Sequence, residues 1–308
     1  FFQAEDGIRD LTHREIDKAK WDYRVSSSSN GLIYAYSYYL DTMSKNWDAL
    51  VLNDYEAIMP LVWNKKYRVY YLYQPFLTAQ LGVFGNKLTA EIIEAFIKAI
   101  PSHYRYWDFY LNHQNVFPLS NFSLYQRSNF VLSLESTYEE LFRNYRENIK
   151  RNIKKAIQVG CSAETGFEEE KVIQLAMQQM KNQSKETTDN INRFRKLYKI
   201  LYEKGMATTY GILSVQKELL ASAIFFYSHN RAYYILVGNH PNGKTIGASH
   251  FLIDSFIKDH AGKKIVLDFE GSDIRNLAFF YSSFGAVEEK FAAIRLNKLP
   301  FYLKWLKK

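Results

Sequence analysis

The feature that most constrains the fold of this chain is an order of elements that occurs twice. In the first half, apolar runs at 47–52 and 57–62 have the length and spacing of a β-hairpin, and a strand, a loop, a helix and a strand follow them. The second half repeats this hairpin, strand, loop, helix and strand between Thr208 and Glu270. A repeated order of elements predicts two duplicated α/β domains.

The length of the chain supports the same division. At 308 residues it exceeds what a single hydrophobic core usually serves. We expect a first domain over 13–130 and a second over 131–308. Residues 1–12 read like translated sequencing adapter, the alternative being a genuine short N-terminal segment, and they are left out of the fold prediction.

The stretch from Lys263 to Ala286 has the strongest chemical character. Its alternation predicts a strand from Ile265 to Glu270 that places Asp268 and Glu270 on one face, close to the strand's end. A break and a helix follow. Acidic side chains where a strand gives way to a loop are typical of a functional site, although exposed carboxylates at a strand end are the simpler alternative.

A basic helix lies between the two repeats. The apolar spacing from Leu141 to Val159 predicts one continuous amphipathic helix. Its polar positions carry a single acid, Glu147, and six bases: Arg143, Arg146, Lys150, Arg151, Lys154 and Lys155. Charge of one sign favours a phosphate-bearing partner, namely a lipid-linked cell-wall precursor, tRNA or an anionic membrane surface. A solvated helix face is the alternative.

The segment Gly238–Thr245 has the glycine and lysine spacing of a phosphate-binding P-loop. The hairpin-linked strands before it disfavour a P-loop nucleotide enzyme, which needs a parallel sheet. We expect instead a loop followed by a helix over 246–260, whose N-terminal amides attract an anion with help from Lys244. An ordinary turn-rich loop is the alternative.

Composition excludes several classes. The single cysteine, Cys161, allows neither an internal disulfide nor a cysteine-based zinc cluster, and the histidine spacing indicates no metal site. No run of 18 apolar residues is present and no secretory signal is visible. We therefore predict a cytoplasmic protein without a metal.

Three segments resemble a known family: Phe280–Ala286, Asp268-Phe269-Glu270-Gly271, and the basic Asn148–Ala156. Together with the order of elements they are similar to the GNAT acyltransferase fold, and within it to the Fem-type branch. The resemblance implies tandem GNAT-like domains of the α/β (α+β) class, each with a mixed, mostly antiparallel sheet flanked by helices. It also implies an N-acyltransferase with an acyl-CoA or aminoacyl-tRNA donor, and an amine acceptor that is a small molecule or a cell-wall or lipid-linked precursor.

The chemistry of such a transfer assigns roles to particular residues. An attacking amine must lose its proton, so Asp268 or Glu270 at the strand end is the candidate general base. Tyr281 resembles the tyrosine acid that protonates the leaving group in GNAT enzymes, and a core tyrosine at helical spacing is the alternative. The expected donor-binding residues are Leu236, Val237, Gly238, Asn239, Gly243, Lys244, Gly247 and Ala248. The expected acceptor-binding or anion-binding residues are Lys150, Arg151, Lys154, Ser272 and Arg275.

The chain departs from the family in two places. Only Gly247-Ala248 matches the end of the acetyl-CoA loop of ordinary GNAT enzymes, and the helical hairpin that some Fem enzymes use for tRNA is not evident. A P-loop nucleotide enzyme and a non-catalytic binder of anionic polymers remain as alternatives at this point.

Overall fold

The structure of the protein is a computed structural model that describes residues 11–13, 16–180, 185–271 and 273–299. The chain divides into two compact units. One comprises the residues up to Arg127 together with those from Lys290, and the other comprises Ser128–Glu289. The segment from Lys290 thus lies in the first unit, whereas the sequence-based boundary placed it in the second domain.

The first unit consists of a sheet and short helices. Its helices are Lys18–Ser27 (α1), Ser37–Met43 (α2) and Ala90–Lys98 (α3), with a 3₁₀ turn at Ile33–Ala35. Its strands are Leu11–His13 (β1), Asn46–Leu52 (β2), Ala57–Lys66 (β3), Val69–Tyr73 (β4), Phe84–Gly85 (β5) and Tyr104–Tyr110 (β6). Tyr36, with extended backbone, separates the 3₁₀ turn from α2.

The core of the first unit forms between α3 and the sheet. The Thr89 hydroxyl accepts a hydrogen bond from the backbone N–H of Ile92 and caps α3. Helical spacing then buries Ile93, Phe96 and Ile97 against Trp107 on β6. Burial of each large apolar side chain contributes roughly 1.5–3 kcal/mol, so this face fixes α3 on the sheet.

Two strands pass between the units, Leu124–Ser133 (β7) and Val287–Asn297 (β13). The helices of the second unit are Tyr138–Arg143 (α4), Glu147–Gln158 (α5), Glu169–Gln179 (α6), Lys185–Glu203 (α7), Pro241–Ile246 (α8), Ala248–His260 (α9) and Arg275–Ser282 (α10). Its further strands are Ser162–Thr165 (β8), Ala207–Leu213 (β9), Leu219–Ser228 (β10), Arg231–Asn239 (β11) and Val266–Asp268 (β12).

The strands of the two units have the same order. In the first unit the order is β1-β2-β3-β4-β6-β13, and in the second it is β8-β9-β10-β11-β12-β7. In each unit one parallel pair, β4 with β6 and β11 with β12, adjoins an antiparallel hairpin. The last strand in each order is encoded by the other half of the chain, because β7 follows β6 but pairs with β12, and β13 follows β12 but pairs with β6.

The basic helix predicted over Leu141–Val159 is interrupted. A capping box at Thr137 and Glu140 starts α4, which ends at Arg143, and α5 begins at Glu147. At the break, the backbone N–H of Arg146 donates to the carbonyl of Ser283 instead of continuing a helix, and its guanidinium lies 4.6 Å from the ring centroid of Phe279. The break therefore attaches the basic segment to the end of α10.

Candidate active site

The two parallel strands of the second unit separate after a short paired segment. Pairing of β11 with β12 runs from Arg231 opposite Val266 to Tyr233 opposite Asp268, where β12 ends. From that point β11 continues to Asn239. Among the described residues, no strand pairs with this part of β11 on the β12 side. The separation therefore leaves one edge of β11 without a partner strand among the described residues.

A β-bulge lies where β11 leaves β12. In the pairing with β10, Phe225 lies opposite Tyr234 and Ile224 lies opposite Leu236, so Ile235 is an extra residue. A bulge leaves one residue out of the ladder and re-aims the backbone beside it. The predicted donor residues Leu236, Val237 and Gly238 follow directly, in the part of β11 beyond the end of β12. Gly238 packs closely on α6, since an added Cβ would lie 2.8 Å from the backbone nitrogen of Ala176.

Asp268 is held in a buried network. Its carboxylate lies 2.6 Å from Nη1 of Arg231 and accepts a hydrogen bond from Asn129 Nδ2 at 2.9 Å. Arg231 also pairs with Glu289 at 2.9 Å. Although burial opposes its charge, Asp268 and Glu289 raise the pKa of Arg231. With only 2% of Asp268 exposed, its oxygens are occupied by structural partners.

Glu270 lies just outside this network. The predicted strand from Ile265 to Glu270 is wrong at its end, because β12 stops at Asp268 and Glu270 adopts a left-handed φ of 66°. The backbone N–H of Glu270 donates to Asp268 Oδ1 at 2.8 Å, which holds the turn. The side chain of Glu270 is half-buried. The two carboxylates therefore have different surroundings rather than one shared face.

Tyr281 on α10 faces this turn. Its ring stacks on Phe269, with centroids 4.5 Å apart, and Phe269 meets Tyr234 edge-on at 6.1 Å. These contacts join α10 to the end of β12 and to the residue beside the bulge. Burial, and then the nearby charge of Glu270, raise the pKa of Tyr281 to about 12. The phenol is therefore protonated at neutral pH and can donate a proton.

The site also includes a histidine that sequence reasoning did not select. His250 is the third residue of α9, and its ring lies edge-on to Phe280, with the centroids 5.0 Å apart. Its Nε2 is 3.5 Å from Nδ2 of Asn152, and its buried Nδ1 has no hydrogen-bond partner among the residues that the structure describes. Burial lowers the pKa of His250 to about 4. Its position two residues after the helix-starting Gly247-Ala248 was the available signal.

The segment predicted to be a phosphate-binding loop is partly helical. The described structure places α8 over Pro241–Ile246, where the sequence predicted a loop to Thr245. The amides of Asn242, Gly243 and Lys244 already bond to His240. A Cβ on Gly243 would lie 2.3 Å from the carbonyl oxygen of Leu220, so this glycine serves close packing on β10 rather than a phosphate cradle.

The start of α9 is likewise covered. Gly247 adopts a left-handed φ of 82°, and a Cβ there would lie 2.5 Å from the carbonyl oxygen of Asn152 on α5. Ala248 is fully buried, and the Ser249 hydroxyl bonds to Asn239 Oδ1. Lys244 remains exposed. The P-loop alternative therefore loses its geometric basis.

The expected anion-binding residues lie on two helices. Lys150, Arg151 and Lys154 are on α5, and Arg275 is the first residue of α10, where it is exposed. Lys150 pairs with Glu147 at 2.9 Å. Ser272 lies outside the described residues. The α5 lysines line a separate groove, and no described contact joins them to Glu270 or Tyr281.

Comparisons with known proteins agree with this geometry. Residues 143–274 match the model of an acetyltransferase (GNAT) domain. This match spans α5 to the turn after β12 and so includes the bulged strand and Glu270. A search of curated proteins found no significant match.

Solved structures resemble almost the whole chain at low sequence identity. FemX superposes with a TM-score of 0.66 at 12% identity, covering 96% of this chain and 100% of FemX. A conserved protein of unknown function from Bacteroides thetaiotaomicron VPI-5482 gives 0.60 at 12% identity, covering 92% of this chain and 99% of that one. L-PGS from Bacillus licheniformis gives 0.53 at 10% identity, covering 94% and 95%.

These findings identify the fold. Residues 143–274 match a GNAT acetyltransferase domain, and the mixed α/β fold is similar to that of FemX, as the sequence predicted. The fold is therefore the one that the resemblance to the Fem-type acyltransferases implies. Among the described residues no helix combines the length and apolarity needed to cross a membrane.

Proposed function

We propose that the second unit transfers an acyl or aminoacyl group from an activated donor to an amine. The observation that carries this proposal is the bulged, unpaired part of β11 beside Glu270 and Tyr281, within the segment that matches a GNAT domain or directly after it. Backbone N–H groups on this edge would hydrogen-bond the donor carbonyl as negative charge develops on its oxygen.

Glu270 is the general base of the proposed reaction. An amine attacks only when it is neutral, so a group at the site must accept its proton. Asp268 does not suit this role because Arg231, Asn129 and the Glu270 N–H occupy its oxygens. Glu270 is half-buried and lies close enough to Tyr281 to shift its pKa.

Tyr281 is the general acid. The amine nitrogen forms a bond to the carbonyl carbon, and the bond from that carbon to the donor's sulfur or oxygen breaks. Glu270 takes the proton of the amine, and the phenol of Tyr281 gives its proton to the leaving thiolate or alkoxide. A phenol with a pKa near 12 retains its proton until the leaving group develops charge.

The donor is an acyl-CoA thioester or an aminoacyl-tRNA ester, and the acceptor is a small amine or an amine on a cell-wall or lipid-linked precursor. The GNAT match supports the thioester, and the Fem-like fold supports the ester. The backbone N–H groups of Asn242–Lys244 already bond to His240, which disfavours an ordinary acetyl-CoA loop at this position. The aminoacyl-tRNA ester is therefore the donor to test first.

A donor panel tests the proposal. Acetyl-CoA, long-chain acyl-CoA, a mixture of aminoacyl-tRNAs and Mg²⁺-ATP would each be added to the full chain in a thermal-shift assay. A donor present at a hundredfold excess over its Kd stabilises the folded state by about 2.7 kcal/mol. Transfer to an amine is then followed by thiol release or by loss of the aminoacyl ester.

The variant that tests the general base is Glu270→Gln, which keeps the size of the side chain and removes its basicity. We expect this variant to bind the stabilising donor and to lose transfer. Stabilisation by Mg²⁺-ATP alone, or transfer by Glu270→Gln at the wild-type rate, would contradict the proposed mechanism.

A further inference from the structure

Three residues with exposed aliphatic side chains lie around Gly160 on the second unit, where the Gly160 N–H donates to the carbonyl of Ile157. Ile157 and Val159, at the end of α5, are 54% and 46% exposed, and Val215, in the turn between β9 and β10, is 65% exposed. Val215 rests on the backbone of Gly160, where an added Cβ would lie 2.5 Å from Val215 Cγ2. We call Ile157, Val159 and Val215 the aliphatic tip. Single exposed aliphatics are ordinary, but a cluster of them indicates a contact surface.

Cations border the aliphatic tip. Helical spacing buries Ile149, Ile153 and Ala156 and turns Arg151 and Lys154 outward. Neither Arg151 nor Lys154 forms an ion pair with any described residue. These two charges are therefore available to an external anion.

Two further lysines beside the tip are partly engaged. The Lys155 ammonium donates to the carbonyl of Thr245, and Lys217, two residues after Val215, lies 3.2 Å from Glu164. In the Lys217–Glu164 pair the lysine side chain is 70% exposed, so water and counter-ions screen it and the ammonium still contributes to the potential outside.

A groove opens beside Ile157. It lies between α4, α5, α9 and β8, with a volume of about 780 Å³. Its apolar walls include Phe142, Ile153 and Phe251, and its bases are Lys150, Lys154 and Lys258. The size is within the range of ligand pockets.

The acids of the groove are internally engaged. The buried carboxylate of Asp254 accepts hydrogen bonds from the Tyr138 hydroxyl at 3.0 and 3.1 Å, and Asp259 accepts one from the Tyr210 hydroxyl at 2.9 Å. Glu147, on the same helix as Lys150, is bound to that lysine. Three lysines against these two aspartates leave the lining of the groove with a net positive charge, and its Lys154 has no ion pair among the described residues.

We propose that this face docks on a bilayer that contains anionic phospholipid. The aliphatic tip enters the interface between headgroups and acyl chains, Arg151 and Lys154 contact lipid phosphates, and the groove receives one headgroup beside its apolar wall. A basic surface with protruding aliphatic side chains fits a lipid interface. A nucleic-acid backbone would use the cations but offers aliphatic side chains no apolar layer. The proposal is independent of the transfer chemistry.

Vesicle co-sedimentation of the full chain tests it. We expect binding to phosphatidylcholine vesicles that contain phosphatidylglycerol and little binding to phosphatidylcholine alone. Removing two charges with Arg151→Gln and Lys154→Gln should weaken binding roughly tenfold or more. The matched control, Lys196→Gln with Lys199→Gln, removes two exposed lysines from α7 and should leave binding unchanged.

A second double variant separates a membrane from other polyanions. Ile157→Ser with Val215→Ser should weaken vesicle binding and leave retention on a homopolymeric RNA unchanged. Equal binding to neutral and anionic vesicles, or loss of binding in the α7 control, would overturn the proposal. It would also fail if the aliphatic variant bound vesicles as tightly as the wild type, or if RNA but not vesicles bound to the basic face.

Discussion

The two units share a strand order and differ at one matching position. Tyr73 lies opposite Asp108 in the first sheet, and Tyr233 lies opposite Asp268 in the second. Asp108 bonds to Arg295, whose side chain is 59% exposed, whereas Asp268 bonds to Arg231, which is 12% exposed. The equivalent aspartate therefore forms an ion pair with an exposed arginine in the first unit and belongs to a buried network in the second.

The strands next to these residues differ as well. In the first unit β4 pairs with β6 up to Tyr73, which is the last residue of β4. In the second unit β11 extends to Asn239, well past the end of β12, with a bulge at Ile235. Burying the Asp268 network fixes the end of β12 and leaves a strand edge beyond it. The comparison favours the second unit as the place of the proposed transfer reaction.

The largest expected effect is on stability. Asp268→Ala leaves Arg231 buried beside Glu289 with a broken network, and we expect the second unit to lose about 3–5 kcal/mol. Asp108→Ala is the matched control and should lose at most about 1 kcal/mol, because its pair is exposed. Urea unfolding of both variants measures the difference, and equal losses would contradict the contrast between the two units.

The next effect is on turnover. Counting two residues on from each matched aspartate gives Glu270 in the second unit and Tyr110 in the first. Glu270→Gln should lower kcat by about 10²-fold if its carboxylate is the base. Tyr110→Phe changes the corresponding residue and should leave kcat unchanged. A folded Glu270→Gln variant with wild-type kcat would remove Glu270 from the mechanism.

Tyr281→Phe sharpens the same comparison. The phenyl ring retains the stack on Phe269, so stability should change by about 1 kcal/mol or less. Turnover should fall by up to about 10²-fold with a poor leaving group, and by less with an activated ester, since a good leaving group needs no proton. An equal decrease with both donors would indicate a positioning role instead.

The smallest effect concerns pH. The folded pKa of His250, about 4, is below the ordinary value of 6.5, so protonation disfavours the folded state. Its contribution is fully present above pH 6.5 and is lost as the pH falls from 6.5 towards 4. The slope is at most about 1.4 kcal/mol per pH unit, reduced by partial exposure of the ring. His250→Phe should flatten the dependence of unfolding free energy on pH, and an unchanged slope would contradict a buried neutral imidazole.

Local pattern predicted much of the fold. The repeated hairpin, strand, helix and strand was predicted from apolar spacing, because each such element shows its period within its own residues. The end of β12 was not, because the left-handed turn at Glu270 depends on a hydrogen bond to Asp268 and on partners far away in the chain. Alternation continues in the sequence where the strand has already ended.

Other features depended on contacts that sequence cannot locate. The break at Arg146 follows from its bond to Ser283, more than a hundred residues later. His250 was not selected because its position against Phe280 and Asn152 is tertiary. Gly238 and Gly243 suggested a phosphate loop, yet in the structure they pack closely against Leu175 and Leu220. In each case the sequence shows the residue type but not the residue that it contacts in the folded protein.

The pairing of β7 with β12 and of β13 with β6 has a consequence for the evolution of such a chain. Each unit contains a strand that the other repeat encodes. A deletion of one repeat would therefore leave β6 or β12 without its antiparallel partner, and an unpaired strand edge is prone to aggregation. Each repeat is thus needed for the folding of the other, whether or not it binds a substrate.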